Sequence, residues 1–258
     1  MSMKDEQKQH VQKALQENLR YDGRKKDQFR AVTIEYNISK SAEGSARVKI
    51  GDTEVIAGVK MSVETPYPDT PDEGSLMVNA ELLPLSSPRF EPGPPSAEGI
   101  EVARVVDRGI REAGAIDVKK LCIARAEKVW IVTIDICTIN DAGNLIDASS
   151  LAAIAALKQA TFPKYENNEI DYQTRTDTKL PMRKWPLAIT VFKIGNQLFV
   201  DPLREEEDVM EARLTVSTTE DGKICALQKG GSTPLTPDEI DQMIVLAQKF
   251  GDEQRSKL

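Results

Sequence analysis

The residues best able to do chemistry in this chain lie in three clusters. The first, Asp201-Pro202-Leu203-Arg204-Glu205-Glu206-Glu207-Asp208, gathers carboxylates just after a strand-like run. Carboxylates at a strand end can hold Mg²⁺ or supply a general acid, and an acidic run of this kind is equally what a solvent-facing loop looks like. The second, from Glu101 to Arg111, spaces Arg104, Arg108 and Arg111 four and three apart, so a helix puts them on one face with Val102, Val105, Val106 and Ile110 on the other. Such a stripe can face phosphates or an acidic partner, or it can be a solvated face paired with Glu101, Asp107 and Glu112. The third, Asn140-Asp141-Ala142-Gly143-Asn144, is a glycine turn between a β-branched run and an alanine-rich helix former. Free N–H groups and the helix dipole make that junction an anion site in outline. Anion sites of this kind usually add an Arg or Lys, yet Leu145, Ile146 and Asp147 lead into the helix and bring no cation.

The elements that must position these clusters follow from periodicity and turn chemistry. Val11, Ala14, Leu15 and Leu19 recur at helical spacing and predict a helix over residues 4–19. Strands are predicted at 32–36, 46–50, 54–61 and 75–85, with Gly51-Asp52-Thr53 as a tight turn. Pro88, Pro92, Pro94 and Pro95 forbid regular structure before a helix at 98–113. Two strand segments are expected within 121–139, then the turn and a helix over 148–157. Hairpins follow around Gly195-Asn196 and Asp221-Gly222, and a last helix over 237–250 is capped by Thr236. Strands then helix, twice over, give an α+β chain of two similar halves in one body.

Composition narrows the function classes. The chain has 258 residues and a net charge of −7, so its overall field does not favour nucleic acid, and any RNA contact needs a local patch or a partner. No run of about 18 apolar residues occurs, and the Lys-, Gln- and Glu-rich start is unlike a secretory signal. Cys122, Cys137 and Cys225 are far apart and lack zinc-ligand spacing, which fits buried thiols in a reducing, cytoplasmic setting. The single histidine, His10, sits in a polar segment, so neither a Ser–His–Asp site nor a histidine metal site has its residues. The common nucleotide-loop patterns are absent.

In order along the chain, these pieces resemble the RNase PH-like family, whose active members shorten RNA from the 3′ end with inorganic phosphate. Arg20-Tyr21-Asp22-Gly23-Arg24, Glu43-Gly44-Ser45-Ala46-Arg47-Val48 and Gly51-Asp52-Thr53 are similar to the family's opening signature, and the helix Glu101 to Arg111 has its charged and apolar spacing. The resemblance spans residues 20–250. It implies an RNase PH-like α+β fold in a single domain 1–258, with a first half at about 20–118 and a second at about 119–258.

The departures from the family pattern bear on function. Active members place a phosphate-contacting Arg where this chain has Glu98, and D-G-G-T-R where it has Asp141 to Leu145, so Asn144 replaces the Thr and Leu145 the Arg. Of the two aspartates after the late strand, Asp201 is kept and Glu207 stands at the second place. The resemblance therefore implies a degenerate site with no catalytic residue, no cofactor and no metal. The stretches Pro66 to Gly74, Phe90 to Pro95 and Arg104 to Glu112 look like one branch of the family, the non-catalytic ring subunit of the archaeal exosome. That branch implies a ring of three heterodimers with a catalytic RNase PH-like sister, RNA-binding cap proteins on one face, RNA in a central channel and no membrane. Arg104, Arg108 and Arg111 are then the RNA-binding candidates. Two alternatives remain: an active phosphate-dependent exoribonuclease using Asp201 and Glu207, and a metal-dependent hydrolase built on the carboxylates from Asp201 to Asp208.

Overall fold

Alternation of small apolar and polar residues builds the first sheet of the computed structural model, which describes residues 3–258. In chain order the elements are α1 (Met3–Gln16), β1 (Val32–Tyr36), β2 (Gly44–Ile50), β3 (Thr53–Glu64), β4 (Ser75–Glu81), α2 (Ala97–Glu112), β5 (Cys122–Ala124), β6 (Lys128–Asn140), α3 (Leu145–Gln159), β7 (Thr161–Glu166), β8 (Glu169–Lys179), β9 (Leu187–Ile194), β10 (Gln197–Val200), α4 (Arg204–Glu207), β11 (Ala212–Thr218), β12 (Ile224–Gly231) and α5 (Pro237–Arg255). Along β3 the side chains of Val55, Ala57, Val59 and Met61 are buried, and the residues between them face outward, as the two-residue repeat of a strand requires.

The first sheet has the order β1-β2-β3-β6-β4, with β5 also on β6. Its pairs are antiparallel except β4 with β6, which are parallel and joined through α2. The second sheet, β10-β9-β11-β12, is antiparallel throughout. The 13-residue strand β6 lies beyond the division expected near residue 118, yet it is central to the first sheet. The first half therefore runs through residue 140 before the chain turns into α3.

Helix α3 joins the halves. Every residue from Leu145 to Leu157 is buried, Asp147, Ser149 and Ser150 included. It packs on β2 and β3 on one side and on β9 on the other. Gly44 permits the close approach: a Cβ there would lie 2.4 Å from the Ala156 carbonyl oxygen. Strand β10 pairs only with residues 191–194 of β9. Side chains of α3 cover two of the amides left over, with the Ala188 N–H donating to Ser150 Oγ at 3.0 Å and the Thr190 N–H to Asp147 Oδ1 at 2.9 Å.

The remaining helices seal the two sheets. Helix α5 packs on β9 and β11 and buries Met243, Ala247 and Phe250. Its start is the expected cap, extended to a reciprocal pair in which Thr236 Oγ1 accepts the Glu239 N–H and Glu239 Oε2 accepts the Thr236 N–H. Val11 and Leu15 of α1 pack against Phe192, Ile194 and Phe199, but Leu19 lies past the helix end and is exposed. The three cysteines are free and half-buried rather than buried. The ribbon β7–β8 was not expected. Its second strand is largely exposed, so it carries no apolar alternation to read.

Candidate functional site

The loop after β10 is where the predicted carboxylates meet the glycine turn. Asp201 adopts a positive φ of 49° and its side chain is fully buried. Arg30 reaches it three ways: Nη2 to Oδ1 at 2.6 Å, Nε to Oδ2 at 2.9 Å and the backbone N–H to Oδ2 at 2.7 Å. Arg24 Nη1 donates to Oδ2 at 2.9 Å, and Asn144 Nδ2 donates to Oδ1 at 2.9 Å. Both oxygens are thus saturated by donors from the protein, and neither is open to a substrate or an ion. Arg30 also donates to the carbonyls of Ala142 and Gly143, at 2.9 and 3.1 Å. Through Arg30 the loop after β10 and the turn before α3 become one unit.

Arg20 does the same for the acidic run. Its Nε donates to Glu206 Oε1 at 2.9 Å, its Nη2 meets Glu206 Oε2, and the pair is buried. It also holds the carbonyls of Val200 and Asp201, at 2.9 and 2.7 Å, and lies over the Phe199 ring. Sequence reasoning did not foresee these jobs for Arg20, Arg24 and Arg30. Charged residues in a turn look solvated until their buried partners, nearly two hundred positions away, are known.

At the first turn of α3 the anion position is already filled. Asn144 is the N-cap in a left-handed conformation (φ 65°), and its own side chain does not cap the helix. Its N–H instead donates to Glu207 Oε2 at 3.3 Å. Burial pushes the Glu207 carboxyl above its ordinary value, while the Arg204 charge and the Asn144 N–H pull the other way. Four carboxylates share Arg204: Asp208 at 3.1 Å, Glu207 and Asp141 at 3.4 Å and Glu98 at 3.6 Å, and of these Asp208 also pairs with Arg89. Such a cluster carries an excess of negative charge and repels a phosphate. Leu145 turns into the hydrophobic core and takes no part. Of the expected positions, the structure brings Glu98, Asn144, Asp201 and Glu207 around one loop and removes Leu145. The acidic run is no solvated loop: Glu206 is buried, and residues 204–207 form the helical turn α4.

The arginine stripe of α2 divides in two. Arg111 grips Asp107, with Nη2 at 2.7 Å from Oδ1 and Nε at 3.1 Å from Oδ2, and its Nη2 donates to the Leu76 carbonyl of β4 at 2.8 Å. The hydrogen bond to Asp107 raises its proton affinity further. Glu101 turns away from the stripe to Arg213, at 2.7 Å. Arg108 donates only to Gln228, at 3.3 Å, and Arg104 is exposed with no ion pair among the described residues. Two open guanidiniums and one structural one are what the stripe amounts to.

Two family models cover most of the chain. The 3′ exoribonuclease family, domain 1, matches residues 28–163, and the same family's domain 2 matches residues 184–249. The chain belongs to the 3′ exoribonuclease (RNase PH) family. Its two domains fall on the two sheets, with α3 inside the first match and α5 largely inside the second. Among its relatives, exosome complex component Rrp42 of Methanocella arvoryzae is 48% identical over 239 residues, which cover 93% of this chain and 90% of that protein. The protein of the same description from Archaeoglobus fulgidus is 47% identical over 253 residues, covering 98% and 96%. A chain in the structure of the Archaeoglobus fulgidus exosome with RNA bound to the active site superposes with a TM-score of 0.92 at 47% identity, covering 99% of this chain and 98% of that one. A chain of an archaeal exosome core superposes with a TM-score of 0.87 at 44% identity. The RNase PH-like α+β fold read from the motifs is therefore the fold of this family member. No described helix is long and apolar enough to cross a membrane.

Proposed function

We propose that this chain is a non-catalytic ring subunit of an archaeal-type exosome core, supporting 3′-to-5′ phosphorolytic RNA degradation by a catalytic RNase PH-like partner. The observation that carries this reading is Glu207. Its carboxylate lies on the α3 N-terminus, where a phosphate would have to bind. Asp201, the one catalytic-type aspartate kept, is saturated by Arg24, Arg30 and Asn144. The similarity to exosome components named Rrp42 supports the assignment to the ring. The reading includes a ring of three heterodimers, cap proteins that bind RNA, and an RNA contact through Arg104 and Arg108. Arg111, held by Asp107 and Leu76, serves the fold instead. The alternatives of an active phosphorolytic site and a metal-dependent hydrolase both need Asp201 oxygens that the protein has already filled.

Phosphorolysis assays separate these readings. The purified chain with RNA and phosphate should release no nucleoside diphosphates. Mixed with the catalytic RNase PH-like chain of the same genome it should give an active assembly. That activity should vanish when the partner's catalytic aspartate is changed and persist with Glu207→Gln here. Nucleoside diphosphate release by this chain alone, lost with Glu207→Gln, would overturn the proposal. Phosphate-independent, Mg²⁺-dependent cleavage by the chain alone would favour the hydrolase.

A further inference from the structure

Four acids surround the start of α3 and the loop after β10, with Asp201, Glu206 and Asp147 buried and Glu207 partly so, and three of the four have an arginine. Asp201 has Arg24 and Arg30, Glu206 has Arg20, and Glu207 has Arg204. The fourth, Asp147, is only 3% exposed and forms no ion pair among the described residues. Its Oδ1 accepts a single neutral donor, the Thr190 N–H at 2.9 Å, and its Oδ2 is buried with no hydrogen-bond partner.

No cationic side chain pairs with Asp147 among the described residues, and only the dipole of α3, in whose first turn it sits, offsets its charge. From its own helix come Asn144, whose Nδ2 is committed to Asp201 and whose Oδ1 is another buried acceptor without a donor, and Ser150, which serves the Ala188 N–H. Strand β9 supplies the Thr190 N–H and apolar side chains. The loop after β10 supplies the Asp201 carboxylate, a like charge, with its two arginines turned away to that carboxylate. Helix α5 supplies Gln254, which is neutral, has its Nε2 buried without an acceptor, and lines with Asp147 a cavity of about 10 Å³ otherwise walled by Phe29, Ile50, Leu151, Leu187, Ala188 and Ile189. An ionised carboxylate desolvated in this way and left unpaired is costly, and the group keeps its proton instead.

We infer that Asp147 is a proton-binding site at the seam between the two halves, holding α3 to β9 as a neutral acid at physiological pH. The proton turns Oδ2 from an unpartnered acceptor into a donor, in a neighbourhood where Asn144 Oδ1 is a buried acceptor without a donor. The three arginine-paired acids fix the loop by charge, and Asp147 fixes the seam without one. Loss of the proton would place an uncompensated charge beside Asp201 at the contact that joins the sheets, so rising pH loosens this seam first.

Burial raises the Asp147 carboxyl from 3.8 to about 8, with the Asp201 charge adding to it and the neighbouring Thr190 and Asn144 groups opposing it. Between those two values the folded chain holds a proton that the unfolded chain has released, so stability falls as pH rises and levels off beyond the upper one.

The test is denaturant unfolding of the full chain and its Asp147→Asn variant over a pH series. Asparagine is neutral at every pH and keeps an acceptor for Thr190. The wild-type unfolding constant should rise relative to the variant's by about tenfold per pH unit between about pH 5 and pH 7, and stop rising above about pH 8. Parallel profiles would overturn the proposal. If Asp147→Asn does not fold, infrared titration of the Glu207→Gln chain decides. A protonated carboxyl band present near neutral pH and lost by about pH 10 supports a neutral Asp147, and its absence near neutral pH overturns it.

Discussion

Arg30 binds both carboxylate oxygens of Asp201 across 171 positions of chain, with Nη2 at 2.6 Å from Oδ1 and Nε at 2.9 Å from Oδ2. Asp201 is here the anchor of a loop. Removing it leaves Arg30 mostly buried without a counter-charge, while Arg24 keeps its pair with Asp22. Breaking one side of a buried pair costs about 3–5 kcal/mol, so Asp201→Ala should lower the unfolding free energy by that order in urea titrations. A loss below about 1 kcal/mol would show that the loop does not depend on this pair.

The Arg20–Glu206 pair should behave as a unit. Each single substitution, Arg20→Met or Glu206→Leu, strands a buried charge, whereas the double substitution removes both. The double variant should therefore lose less stability than the two singles together, with a coupling of about 0.5–3 kcal/mol in a double-mutant cycle. Additive losses would mean that the contacts of Arg20 with the Val200 and Asp201 carbonyls matter more than the ion pair.

The three arginines of α2 should separate in a stability assay. Arg104→Ala and Arg108→Ala should each move stability by less than about 0.5 kcal/mol, as exposed substitutions do. Arg111→Ala should cost more, because Asp107 and the Leu76 carbonyl both lose their partner. In the assembled complex, Arg104→Ala with Arg108→Ala should weaken RNA binding and reduce the salt slope by about 0.7 per lost contact on a single strand. An unchanged affinity and slope would leave those two arginines to a protein neighbour.

Gly44 sets the distance between β2 and α3. A Cβ there would be 2.4 Å from the Ala156 carbonyl oxygen and 2.7 Å from the Ala160 nitrogen, both backbone atoms that cannot swing aside. Gly44→Ala should destabilise by about 1–3 kcal/mol or more, as overpacking does. A thermal midpoint equal to the wild type would show that α3 can shift at little cost.

Local chemistry alone determined most of the elements and the order of the fold. The alternation in β3, the Asn140–Asn144 turn, the Thr236 cap and the proline-rich break before α2 each act within a few residues, so their outcome is written in adjacent positions. The departures at Glu98, Leu145 and Glu207 are legible only against the family pattern that the chain resembles. Tertiary structure decided everything that depends on distant partners. It moved β6 into the first sheet, because parallel pairing with β4 is fixed by the path through α2 and not by composition. It formed the β7–β8 ribbon from exposed residues whose one local signal, positive φ at both Asn167 and Asn168 in the turn, is weak in a sequence. It made Arg20, Arg24 and Arg30 the clamps of Asp201 and Glu206, and it left Asp147 without one. Whether a charge is solvated, paired or neutralised depends on which groups surround it after folding, and for these residues the groups come from chain segments that only the packed core brings together.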